Sequence, residues 1–171
     1  MDTLSAVPSH LRPIIQALIG AVRATLEQGK PPHSAALIGD SVHHRLTDVQ
    51  IDSSSQEAKE VSAALIREVA ALLEADFVLA IIDGWGLPSD KQQDIEAILK
   101  EYGSIGESPF KVDVFSFFLF TKEGEFAAQT EVSYPSDSAP QRTFGPVEFT
   151  RTDLRGIFSD LLPQKPAGPL H

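Results

Sequence analysis

Apolar residues recur at spacings of three and four from about Leu11 to Gln28, where Ile14, Ile15, Leu18, Ile19, Val22 and Leu26 form one stripe. That spacing predicts an amphipathic helix, with Pro13 tolerated in its first turn and Gly29 to Pro32 ending it. Between Ser34 and Asp52 the AALIG run, followed by Leu46, Val49 and Ile51, predicts a hairpin. Ser54 with Glu57 three residues on reads as a capping box, and the helix behind it carries Val61, Leu65, Val69, Leu72 and Leu73 as one apolar stripe through Ala75.

The pattern then changes period. FVLAIIDGWG, residues 77–86, is an apolar run ended by turn residues, which predicts a buried strand from Phe77 to Ile82 and a turn at Asp83-Gly84-Trp85-Gly86. Ser89 and Gln92 suggest a second capping box, heading a helix with Ile95, Ile98, Leu99 and Tyr102 that stops at Gly103. VDVFSFFLFT, from Val112 to Thr121, is apolar on both faces, as a central strand is. The next segment alternates Phe126, Ala128, Thr130 and Val132 with polar residues, and the KEGE turn between them predicts a hairpin with Gly124 at a positive φ. After the YPSDSAPQR loop come a short strand at Val147–Phe149 and a last helix from Thr152 with Leu154, Ile157, Phe158, Leu161 and Leu162 on its apolar face.

These elements define an α+β class: a single layered domain over residues 1–162, with a mixed, mostly antiparallel β-sheet of about five to six strands packed with about four helices. Residues 163–171 are expected to be a flexible tail. The connection from Gly103 to Lys111 is long enough to make the Phe77 and Val112 strands parallel, joined by a right-handed crossover.

Composition narrows the function. With 171 residues and 42% hydrophobic content the chain can bury a core without covalent staples, and the absence of cysteine removes disulfides, thiolate metal sites and cysteine nucleophiles. The start lacks the pattern of a secretory signal and no apolar run approaches a spanning helix, so a cytoplasmic location is expected. A net charge of -10 opposes nucleic-acid and anionic-membrane partners. No cofactor is indicated.

Three groups of residues carry candidate chemistry. Gly39, Asp40, Ser41 and Val42 after a short apolar run resemble the nucleophile block of the GDSL (SGNH) hydrolases. That family also needs an asparagine and a late Asp-x-x-His element; this chain has neither, which favours a plain hairpin turn. His43 and His44, with Asp40, offer nitrogen and oxygen donors to a metal, but adjacent residues on a strand point to opposite faces, so two partly exposed histidines beside a turn is the preferred reading. The third group is the strand end itself, with Asp83, Gly84, Trp85, Gly86 and Ser89 as a candidate small-ligand site: amides near Ser89 face an anion and Trp85 stacks a ring. The competing account is that Asp83 caps turn amides and Trp85 covers the sheet edge.

The absence of a complete catalytic set points to a non-catalytic binding or assembly module, associating with itself or a protein partner, with the first helix as the contact. The alternative is a small hydrolase using Asp83 with His33, His43 or His44, metal-assisted or not, which requires the histidine and Asp83 to be neighbours.

Overall fold

The same long apolar runs that marked the strands assemble into one twisted sheet with helices on both faces. The structure is a computed structural model describing residues 1–30, 33–134 and 141–163. Helices α1 (Arg12–Glu27), α2 (Gln56–Leu73) and α3 (Ile95–Tyr102) accompany strands β1 (Ala35–Asp40), β2 (Arg45–Gln50), β3 (Phe77–Gly86), β4 (Val112–Thr121), β5 (Gly124–Ser133), β6 (Thr143–Phe144) and β7 (Thr150–Thr152). The seven strands run in the order β2-β1-β3-β4-β5-β6, and β7 also pairs with β5. Every pair of named strands is antiparallel.

Alternation along β3 and β4 divides the core into two layers. Phe77, Leu79, Ile81, Phe115, Phe117 and Leu119 point to the side covered by α1, where Ile15, Ile19 and Leu26 meet them together with Phe144, Val147 and Phe149. Ala36, Ile38, Val78, Ala80 and Phe120 point to the side covered by α2 and by Leu161 and Leu162. The phenylalanine-rich β4 is core filling on both faces.

Both expected hairpins form. β1 pairs with β2, and β4 with β5 through a turn in which Gly124 has φ 150°. Four expectations are corrected. β3 and β4 are antiparallel over ten residues each, from Phe77 opposite Thr121 to Gly86 opposite Val112. The chain between them leaves and re-enters at the same sheet end, so residues 87–111 form an inserted arm and not a crossover. The strand expected at Val147–Phe149 is only an isolated bridge from Glu148 to Thr3, and pairing resumes at Thr150.

The helix expected after Thr152 is also not formed, which leaves three α-helices among the described residues. Gly156 has φ 100° and Asp160 φ 51°, both left-handed, and the carbonyls of Ile157 and Ser159 accept from the Arg67 guanidinium at 2.8 and 2.7 Å. Side-chain hydrogen bonding has replaced the helical ladder there. The caps also differ from expectation. Ser55, not Ser54, accepts from the Ala58 amide, and Gln92 donates to the Leu87 carbonyl at the start of a short 3₁₀ turn, Ser89–Asp94. The expected tail lies, apart from Pro163, outside the described residues, and no helix among the described ones is long and apolar enough to cross a membrane.

Beyond these four, α2 buries a different set of residues from the one expected. Its buried residues are Ser62, Ala63, Ile66 and Ala70, whereas Val61, Leu65 and Leu72 from the expected apolar stripe are 62%, 46% and 78% exposed. Small side chains let the helix settle closely on β1 and β2, and the Ser62 hydroxyl accepts from the Asp52 amide at 2.9 Å. Val69 and Leu73 of the expected stripe do pack against the core beside Ile66, and the other three are left outside.

Candidate functional site

Asp83, Gly84, Trp85 and Gly86 are the last four residues of β3 and not a turn. Trp85 lies opposite Asp113 and Asp83 opposite Phe115, so alternation puts Asp83, Trp85 and Asp113 together on the α1 side, at the end of the sheet. Trp85 is 54% exposed, and the Lys111 ammonium lies 4.4 Å from its ring centre. Tyr134 donates its hydroxyl to Asp113 at 3.0 Å. Gly86 is required by packing, since a Cβ there would come within 2.8 Å of Val114; Gly84 has open space. Ser89 starts the 3₁₀ turn, exposed and without a capping bond.

Half-burial raises the Asp83 pKa, Arg142 nearby draws it down, and the Asp113 charge pushes it up again. No hydrogen bond to the Asp83 carboxylate is present among the described residues; its amide donates to Ser34 Oγ at 3.1 Å. Because the folded state favours the protonated form, this group's contribution to stability is complete below the unfolded pKa of about 4 and is lost as pH rises through the folded value. Asp83→Asn is therefore expected to melt a few degrees above the wild type at neutral pH, with the gap closing as pH falls through the carboxylate range. A variant less stable than wild type at neutral pH would contradict the placement of this carboxylate.

The histidine pair belongs to the other end of the sheet. Asp40 closes β1, and its two oxygens accept from the amides of Val42 and His43, from His43 Nδ1 at 2.7 Å and from Arg45 Nη2 at 2.7 Å. The Arg45 hydrogen bonds outweigh the cost of burial, and with the His43 bonds they hold the Asp40 carboxyl well below the usual range. Ser41 donates its amide and its hydroxyl to Asp76, not to a histidine. His44 has φ 54° and is exposed. The hydroxyl of the GDSL-like block thus has a carboxylate partner where a nucleophile needs a base, and Asp40 is a turn anchor saturated by its own neighbours. Among the described residues no three His, Asp or Glu side chains gather as a metal site.

The register separates the two groups. Gly39 pairs with Phe77, and Asp83 is six residues further along β3, about 20 Å at the usual strand rise. His43 and His44 therefore cannot serve Asp83. His33 lies nearer, next to Ser34, but is exposed and makes no hydrogen bond to Asp83 among the described residues. Lys111, Asp113, Tyr134 and Arg142 had no signal as site residues, because only the fold brings Lys111 and Asp113 to Trp85, Tyr134 to Asp113 and Arg142 near Asp83. Asp76 is likewise brought to Ser41 by the β1–β3 pairing. The chain matches no family model, no curated protein and no solved structure.

Proposed function

We propose that this protein is a cytoplasmic, non-catalytic assembly module that associates with a second copy of itself through the outer face of α2. The observation that carries this reading is the set of apolar residues Val61, Leu65 and Leu72, which point to solvent while Ala63, Ile66 and Ala70 face the sheet. At 100° per residue these three share one narrow arc, on the flank turned away from Arg67 and its C-terminal contacts. The exposed Glu68 borders this arc, with the exposed Ala64 and Ala71 beyond it toward Arg67.

A second copy is favoured because α2 packs on β1 and β2, and β2 ends the strand order, its outer edge unpaired among the described residues. One two-fold axis at that edge sets the same strand and the same helix face against their own copies, as an isologous contact requires. α1, expected as the contact, buries Ile15 and Ile19 completely and packs Ile14 and Leu18 against the core.

Sedimentation equilibrium tests the reading. The wild type is expected to be dimeric, and the double variant Leu65→Asp, Leu72→Asp monomeric with unchanged far-ultraviolet circular dichroism. Each leucine is counted twice by symmetry and is worth about 1.5 kcal/mol or more when buried, so the dissociation constant should rise at least about 100-fold. A wild type that stays monomeric at high concentration contradicts self-association.

A second reading, a small-ligand site at the end of β3, is supported by the half-buried Asp83 carboxylate beside Asp113 and the exposed Trp85. The same Asp83→Asn variant should lose any saturable change in Trp85 fluorescence that a panel of simple sugars and amines produces in the wild type.

A further inference from the structure

On the α2 side of the sheet a pocket of about 280 Å³ opens over β4, lined by Lys59, Phe118, Leu154, Arg155, Ile157 and Phe158. We propose that it binds a small amphiphilic carboxylate, such as a medium-chain fatty acid, with its chain on the phenylalanines and its head between Lys59 and Arg155. This site is separate from the α2 stripe and from the end of β3.

Three features argue for that ligand. Four of the six lining residues are apolar, and all four are only partly buried although they pack against the core, so hydrocarbon can still remove their surface from water. The other two are cations. In a chain of net charge -10, neither Lys59 nor Arg155 lies within ion-pair distance of a carboxylate among the described residues. A charged head between them gains attraction that an alcohol does not, and an amine is repelled. A carboxylate also matches the planar fork of arginine.

The wall is positioned beforehand. The Leu154 amide donates to Glu125 Oε2 at 2.7 Å, and Arg67 holds the carbonyls of Ile157 and Ser159, so the segment is tied to β5 at one end and to α2 at the other. Prior ordering lowers the entropy cost of binding. Beyond Phe118 a shallow trough continues along Ser116, Ala127, Gln129, Glu148 and Thr150, a path across the sheet for the uncharged end of a longer chain.

The test titrates octanoate, below its micelle concentration, into the full-length protein by calorimetry and by ¹H–¹⁵N chemical shifts. Saturable binding is expected, with the shifts centred on residues 154–158 and Phe118. Octanol should bind about tenfold more weakly or worse, octylamine should not bind, and Lys59→Gln with Arg155→Gln should weaken octanoate by about tenfold or more. Phosphatidylglycerol vesicles should leave the protein in the supernatant; co-sedimentation would overturn a free acid in favour of a membrane source. The proposal is also overturned if octanoate does not saturate, if it binds no better than octanol, if the double variant binds it equally well, or if the shifts centre elsewhere. The octanol comparison uses only the wild type, so it decides the matter even where the double variant folds poorly.

Discussion

Phe117→Ala is expected to lower the free energy of unfolding by about 4 kcal/mol, from the loss of a large buried side chain and the cavity it leaves. Phe117 is fully buried on the α1 side of β4, with ring centres of Phe144, Phe149 and Phe115 at 5.7, 6.4 and 6.5 Å. Two of these partners lie in the segment after β5, so this one ring joins the middle of the sheet to chain more than twenty residues away. The link continues outward. Arg23 covers the Phe144 ring at 4.6 Å and pairs with Asp2 at 2.8 Å, and Asp2 accepts from the Val147 amide.

Against a typical total of about 5–15 kcal/mol, such a loss leaves little reserve at 37 °C. Chemical denaturation should show the midpoint falling with little change in slope. Hydrogen exchange should rise first at residues 143–149 and in the N-terminal segment. Phe118→Ala, on the opposite face and only half-buried, is expected to cost less than half as much. Equal losses at the two positions would mean that the layering of the sheet is wrong.

The sequence reading succeeded where one pattern admits one structure. α1 was legible because its apolar residues occupy a single stripe and a proline and a glycine bound it. The β4–β5 hairpin was legible because Gly124 closes a short turn between a run apolar on both faces and one of period two. It failed where a pattern admits two. Residues 61–73 are apolar around most of the helix, with alanines beside leucines, so hydrophobicity alone cannot say whether the large or the small residues face the sheet. Packing on β1 and β2 decides: Ser62, Ala63, Ile66 and Ala70 are buried, with Val69 and Leu73 at the margin.

β3 failed for a related reason. A strand buried on both faces reads the same in a parallel or an antiparallel sheet, and nothing local reveals that residues 87–111 return to the end they left. In the last segment the helical spacing of Leu154, Ile157, Phe158 and Leu161 is genuine, but Arg67 on α2 competes for the carbonyls that a helix would use. Arg67 lies far away in sequence. The end of β3 was legible as a place, whereas its chemistry was not, because Lys111, Asp113, Tyr134 and Arg142 come to it from three other stretches of chain, to Trp85, Asp113 and Asp83 in turn.

The Gly-Asp-Ser block shows how a motif of catalytic appearance can be set by packing, and it yields the second large expected effect. Gly39 pairs directly with Phe77, whose fully buried ring lies across it so closely that a Cβ at position 39 would fall far inside van der Waals contact with the ring. The ring is buried in the same layer as Leu79 and the α1 contacts, so moving it aside disturbs that core. Gly39→Ala is therefore expected to destabilise the fold by about 3 kcal/mol, at the upper end of overpacking. The cost should reside in the pair. Phe77→Leu alone should also be destabilising, yet Gly39→Ala combined with Phe77→Leu should be more stable than the sum of the two single losses by more than about 1 kcal/mol, because the shorter side chain leaves room for the new methyl. Thermal and denaturant unfolding of the four proteins measures that coupling. Strict additivity would mean that the Phe77 ring is not what excludes a side chain at position 39.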